Sequence, residues 1–286
     1  MMKANIHICE SCNYNCKHCF AKFNNHKLLR FDDWVKIIDN LANSGMIDAI
    51  NIAGGEPFTH PDMIDIARYI KDKGLTLSII TNGSLMSDVW IKDNAKLFDM
   101  IGFSVDSVDE YVSLDLGRHD NRDRVLSAGV IKDKVNNLRH YNPSIVIKIN
   151  TVVSALNYKD DMQWEIEDIH PNRWKILKMQ EFKNDTYSNS DIVVSDADYI
   201  CYVQRIINYH GFAYDPNEVK YVVDDKYSII VESSLKGDYI MIDANGCLVD
   251  NTFGTDYTRI IDCRVDDFKE GFARLTFDAE MYNKRY

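Results

Sequence analysis

The chain has 286 residues, 45 % of them hydrophobic, with only five prolines. It is therefore a folded chain, long enough to bury most of its apolar surface in one large domain or two small ones. Its formal charge of −11 repels polyanions and excludes generic nucleic-acid or anionic-membrane binding, so any phosphate site must be built from a few local cations.

In chain order, β-rich runs at 5–9, 49–53, 75–81, 100–105, 144–153 and 173–180 alternate with helical patterns at 31–43, 61–73, 87–97, 121–140 and 160–169. Six strands with five intervening helices predict right-handed crossovers and a parallel sheet, hence an α/β fold. Thr59 or Asp62 can cap the second helix and Ser87 the third. After about residue 182 the pattern changes to a helix over 195–210, a hairpin of 239–243 and 247–251 around Asn245-Gly246, and a final helix over 268–283. Residues 1–182 are expected to form the parallel unit, and 183–286 an extension that caps it within the same structural unit. No run approaches the ~20 apolar residues that span a bilayer, and no apolar leader precedes the first charged motif. A cytoplasmic chain with no membrane partner is expected.

Four of the seven cysteines, Cys9, Cys12, Cys16 and Cys19, fall within eleven residues. Such crowding is no disulfide framework; it points to metal ligation in a reducing compartment. Cys12, Cys16 and Cys19 form a C-x3-C-x2-C run. Three thiolates on a short loop can hold three irons of a cubane and leave the fourth open, whereas most electron-transfer clusters use four cysteines. The alternative is zinc held by all four. Structural zinc sites set their ligand pairs a dozen or more residues apart, and here only three residues separate them.

The second strand ends in Gly54-Gly55-Glu56-Pro57. Paired glycines let backbone approach a ligand closely, and a carboxylate can accept from an ammonium group. The third strand ends in Thr81-Asn82-Gly83-Ser84, and the fourth carries Ser104 and Asp106 at alternating positions. All lie at C-terminal strand ends, where α/β barrels build their sites. In the fifth strand Ile145, Ile147 and Ile149 share one face, and Lys148 with Asn150 the other. Arg173 and Lys175 likewise share one face of the sixth. Adjacent parallel strands would aim three cations and an amide into one interior, which demands acidic partners or an anionic ligand. The competing reading has Arg173 solvated at an exposed strand start.

The cysteine run, closely followed by Phe20 after a first strand, together with Gly54-Gly55-Glu56-Pro57, resembles the radical S-adenosylmethionine (SAM) superfamily. That resemblance implies a partial (βα)6 TIM-like barrel with a C-terminal α+β extension. It also implies a [4Fe–4S] cluster on Cys12, Cys16 and Cys19, with SAM on its open iron. Cys12-Asn13-Tyr14-Asn15-Cys16, Asn82-Gly83-Ser84-Leu85, Asp106-Ser107-Val108-Asp109-Glu110, Gly117-Arg118, Lys148-Ile149-Asn150 and Asn172-Arg173-Trp174-Lys175 are similar to the viperin family. The prokaryotic type is indicated, because this chain starts almost at its first strand and has Ala53 where animal members have serine.

The viperin resemblance implies conversion of a ribonucleoside triphosphate to its 3′-deoxy-3′,4′-didehydro form, a chain-terminating antiviral nucleotide. CTP is favoured, with UTP or GTP as alternatives. It implies SAM contacts from Gly54, Gly55, Glu56, Asn82, Ser104 and Arg118. Lys148, Asn150, Arg173 and Lys175 would hold the triphosphate, Asn5 the base, and Tyr239 would line the sugar pocket and act on the departing hydroxyl. A flavodoxin- or ferredoxin-type reductant is implied as electron donor. Two other readings stay open: a radical SAM enzyme acting on a peptide or other small molecule, and a non-catalytic metal-binding or electron-carrier module.

Overall fold

A computed structural model describes residues 2–21, 27–183, 187–234, 236–237, 239–252 and 255–285. Six strands form the expected parallel run: β1 (Met2–His7), β2 (Ile47–Ala53), β3 (Thr76–Thr81), β4 (Met100–Ser104), β5 (Val146–Val153) and β6 (Arg173–Lys178). The sheet does not stop there. Residues beyond 182 supply β7 (Lys220–Asp224), β8 (Tyr227–Glu232), β9 (Ile240–Ile242), β10 (Cys247–Asp250) and β11 (Thr258–Asp262). The strand order is β11-β10-β9-β1-β2-β3-β4-β5-β6-β8-β7. Strand β9 joins β1 in parallel and β8 joins β6 in parallel, so the extension lengthens both edges of the barrel wall. Its antiparallel outer strands, β10 with β11 and β7 with β8, finish the sheet.

Alternation along each strand explains the layering. Ala4, Ile6 and Ile8 on the first strand, Ile147 and Ile149 on the fifth, and Trp174 and Ile176 on the sixth are fully buried under the helices. Those helices are α1 (Phe31–Asn43), α2 (Met63–Asp72), α3 (Asp88–Asn94), α4 (Glu110–Asp115), α5 (Ala128–Tyr141) and α6 (Gln163–Ile169), with α7 (Asp196–Tyr209), α8 (Phe268–Phe272) and α9 (Ala279–Arg285) from the extension. The intervening residues, Lys3, Asn5 and His7 or Lys148 and Asn150, face the barrel interior and line its cavity.

Three local expectations are corrected. The helix expected over 121–140 starts only at Ala128, behind a Ser127 cap on Val130 N. Ahead of it Asp120 gathers the backbone N–H groups of Arg122 and Arg124 into a turn with Asp123 at φ 56, so a side chain outcompetes the helix. Asp62 does not cap α2 with its side chain, because its carboxylate accepts from Arg30 Nη2 and Phe31 N instead. The final helix is broken into α8 and α9, the N–H of Thr276 between them going to Asp250. Ser87 does cap α3, accepting from Trp90 N. Among the described residues, no helix is long and apolar enough to cross a membrane.

Candidate active site

A cavity of about 260 Å³ runs through the barrel interior. Its upper wall is the loop after β1, carrying Cys12, Cys16 and Cys19. Backbone pairing fixes that loop against the end of β2: Gly55 N donates to Cys9 O and Glu56 N to Ser11 O, at 2.8 and 2.9 Å. A Cβ on Gly54 would sit 2.6 Å from Cys9 O, and one on Gly55 2.3 Å from Ser11 O. The glycines are therefore required by this packing of protein on protein, a reason different from the expected close approach to a ligand, though both also line the cavity. Gly117, at φ 73, plays the same part under Asn15, where a Cβ would meet the carbonyl at 2.3 Å. Asn13 reaches the β3 loop, donating to Ser84 Oγ and accepting from Asn82 Nδ2.

Cys9 is separate from the other three. It is fully buried and its Sγ faces Glu56 O at 3.4 Å, outside the cavity lining. Three thiols at one mouth with the fourth turned away fit a cubane with one open iron, since a four-cysteine site would need all four to converge. Among the described residues, no three His, Cys, Asp or Glu side chains are arranged to hold a single metal ion.

Arg118, an expected SAM contact, lines the cavity and also has protein partners. It is tied to Asp106 at 3.1 Å, donates to Ser104 O at 2.5 Å and to Cys16 Sγ at 3.5 Å, and lies over the Tyr14 ring. Asp106 also faces His18 Nε2 at 3.2 Å and accepts from Val152 N. Burial works to raise the Asp106 carboxyl, but Arg118 and His18 outweigh it and hold the group below the ordinary carboxylate range. Burial pushes the Cys16 thiol up to about 11 against the pull of Arg118. Thus one buried carboxylate connects β4, the arginine after α4 and the cysteine loop.

Glu56, expected to contact SAM, is held by protein partners. Its carboxylate accepts from Thr81 Oγ1 at 2.6 Å, Asn82 N at 2.7 Å and Phe58 N at 3.2 Å. Fully buried, it is absent from the cavity lining. It ties the β2 loop to the β3 loop, with Oε1 accepting from Thr81 and Phe58 and Oε2 from Asn82. Asn82 and Ser104 do line the cavity.

Deeper, β5 and β6 align Lys148 with Arg173 and Asn150 with Lys175. All four line the cavity, as does Tyr239 at the start of β9. Arg173 therefore faces the interior, contrary to the solvated alternative. The Lys148 ammonium is pushed well below its ordinary value, by burial first and then by Lys175. Asn150 Oδ1 is buried without a hydrogen-bond partner among the described residues. Cations crowded with an unpartnered amide oxygen form a site arranged for a polar, anionic occupant. Asn5 accepts from Asn51 Nδ2 at 3.1 Å, and Asn51 accepts from Ser78 Oγ at 2.9 Å, an internal ladder across β1, β2 and β3.

Sequence reasoning missed Glu232, Lys3, His7 and His18. Glu232 ends β8, forms a buried ion pair with Lys175 and accepts from Tyr239 Oη at 2.6 Å. Lys175 also donates to Tyr239 Oη and lies over its ring. Nothing in the sequence pattern marks Glu232: Lys175 is 57 residues away, and Tyr239, though seven residues away, precedes a strand on the opposite side of the sheet. Lys3 and His7 could have been found, because they alternate with Asn5 on the inward face of β1.

Burial lowers the pKa of His7 to about 4 and that of His60 and His210 below the ordinary 6.5. The unfolded chain then binds protons that the folded one refuses, so stability falls as pH drops below 6.5. A thermal melting series from pH 7.5 to 5.0 should show a steadily falling Tm; a flat profile would contradict the burial of these rings.

The family model of the radical SAM superfamily matches residues 6–153. A protein of Selenomonas ruminantium named S-adenosylmethionine-dependent nucleotide dehydratase is 37 % identical over 99 % of this chain and 98 % of its own. One of the same name from Psychrobacter lutiphocae is 30 % identical over 99 % of this chain and 93 % of its own. Among solved structures, SuiB of Streptococcus suis bound to precursor peptide SuiA superimposes with a TM-score of 0.69 at 15 % identity. That match covers 98 % of this chain and 65 % of SuiB, and shows a shared fold.

Proposed function

This chain belongs to the radical SAM superfamily and, within it, to the S-adenosylmethionine-dependent nucleotide dehydratases, and we propose that it removes water from a ribonucleoside triphosphate to give the 3′-deoxy-3′,4′-didehydro nucleotide. Its cofactors are a [4Fe–4S] cluster and SAM. Cys12, Cys16 and Cys19 would hold the cluster. When bound, the pair supplies a carbon radical, made by one-electron cleavage of the sulfonium, that can take the ribose H4′.

The rest falls to the chain's own side chains. Lys148, Arg173 and Lys175, with the amide of Asn150, would bind the phosphates at depth and set the ribose below the cysteine loop. Phe20, Phe182 and Tyr257 line the mouth, the last two with ring centroids 5.4 Å apart, and would keep bulk water from the reacting carbon. Loss of the 3′-hydroxyl as water needs a proton and a second electron. The Tyr239 hydroxyl lies between the Glu232 carboxylate and the Lys175 ammonium. It can give its proton to the leaving oxygen while Lys175 resupplies it. In this reading residues 1–182 and 183–286 work as one unit, because Glu232 and Tyr239 of the second meet Lys175 of the first in one cavity.

The observation that carries the proposal is the cation-lined depth of a barrel whose mouth holds three cysteines. Anaerobic incubation of the reduced protein with SAM and each of the four ribonucleoside triphosphates tests it. A nucleotide product lighter by one water, with matching 5′-deoxyadenosine, is expected. SAM cleavage with none of the four yielding such a product would refute it. We take CTP first, then UTP and GTP. A flavodoxin- or ferredoxin-type protein is the proposed electron source, and the thiol-rich loop suits a reducing cytoplasm.

Tyr239→Phe is expected to cut nucleotide product by about 10²-fold, the lower range for losing a general acid. 5′-Deoxyadenosine should still form, so the two yields uncouple. Equal loss of both would assign Tyr239 to binding only.

A further inference from the structure

The cation set is larger than the three side chains of β5 and β6. Lys3, on the inward face of β1, lines the same cavity as Lys148, Arg173 and Lys175. Strands β1 and β6 are not neighbours in the sheet, so only the curvature of the barrel brings these charges together. Lys3 is also held in place. Its backbone N–H donates to the buried Tyr282 Oη of α9 at 2.7 Å, which secures the first turn of β1 against the C-terminal helix.

Among the described residues, four basic side chains and one carboxylate, Glu232, line that depth, so basic groups are in excess there. The depth has a direction. Lys175, Tyr239 and Glu232 meet midway, while Lys3 and Arg173 occupy the N-terminal ends of their strands. Lys3 precedes His7 by four residues, about 13 Å of strand away from the cysteine loop.

We propose that Lys3 is a fourth phosphate-binding cation at the far end of the substrate cavity, where it binds the terminal phosphate and makes the site selective for triphosphates over di- and monophosphates. This rests on the nucleotide reading above, in which the ribose lies toward the cysteines and the phosphates toward the N-terminal strand ends. A monophosphate can engage fewer of these basic groups at once than a triphosphate chain, which can extend from Lys175 toward Lys3.

The state of the free site agrees. The Lys3 ammonium is lowered to about 8 by burial first, then by Arg173 and Lys175, with Asp48 opposing. Lys148 feels Lys3 in turn. An incoming anion would restore the proton, so binding above pH 8 should take protons from solution and weaken as pH rises further.

The test is calorimetric titration of the anaerobic, cluster-loaded protein with the tri-, di- and monophosphates of the preferred nucleoside and with inorganic tripolyphosphate. For Lys3→Gln, affinity for the triphosphate and for tripolyphosphate should fall by at least about tenfold, while the monophosphate changes by less than about twofold. Lys3→Arg should recover most of the loss. Unchanged triphosphate affinity in Lys3→Gln, or equal loss for tri- and monophosphate, overturns the role of Lys3 and leaves the nucleotide reading standing. A tenfold, Lys3-dependent loss for tripolyphosphate in a protein that prefers no nucleoside triphosphate keeps Lys3 and sinks the nucleotide reading. Wild-type protein that binds neither ligand sinks both.

Discussion

Alanine at Cys12, Cys16 or Cys19 is expected to abolish 5′-deoxyadenosine formation, a fall of at least about 10³-fold, the scale seen when one member of a catalytic unit is removed. Alanine at Cys9 should leave it within about twofold. The contrast follows from position. The three loop cysteines line one cavity, whereas Cys9 is buried behind the glycines with its thiol against Glu56 O. Losing one of three thiolates leaves two irons without protein ligands and the cluster labile; losing Cys9 removes a small core side chain. Iron and sulfide counts per chain, with the visible spectrum of the anaerobic protein, give the readout. Four irons in wild type and in Cys9→Ala are expected. Eight or twelve would favour a peptide-modifying enzyme with extra clusters, and loss of iron in Cys9→Ala would make the site a four-cysteine carrier with no open corner.

Asp106→Asn should lower the Tm of the cluster-free protein by about 10 °C. Breaking a buried pair costs about 3–5 kcal/mol, because the surviving charge is left in a poorly solvating interior, and a chain of this size loses a few degrees per kcal/mol. Asp106 is 1 % exposed and Arg118 11 % exposed. Asparagine keeps an acceptor for Val152 N but cannot balance the guanidinium. Adding Arg118→Met should restore part of the lost Tm, since no lone charge then remains. A single substitution that melts within about 2 °C of wild type would show that this pair does not bind the cysteine loop to the barrel. Acid should mimic the substitution: the Asp106 carboxyl is held below its ordinary value in the folded state, so its stabilisation is lost as pH falls through that lowered value.

Much of this was legible in the chain. The C-x3-C-x2-C run and Gly54-Gly55-Glu56-Pro57 identify the chemistry because their spacing is local: a loop holding a cubane needs its thiolates within a few residues. The inward placement of Lys148, Asn150, Arg173 and Lys175 was equally readable, because a strand alternates its faces whatever surrounds it. The protein partners of Glu56 and Arg118 escaped the sequence for one shared reason. A charged residue beside a ligand motif invites a ligand contact, and the motif by itself shows nothing of the partners that both charges hold on other parts of the barrel.

The amino-acid order by itself determined the strand and helix alternation, the closely spaced cysteine run and the inward-facing cations of β5 and β6, since each depends on neighbours or on a period of two along one strand. Only the tertiary structure decided that β8 and β9 extend the parallel sheet, that Glu232 and Tyr239 meet Lys175, and that Lys3 lines one cavity with Lys148, Arg173 and Lys175. Those contacts close the barrel between segments up to 236 positions apart, and a long-range juxtaposition leaves no periodic trace in the chain.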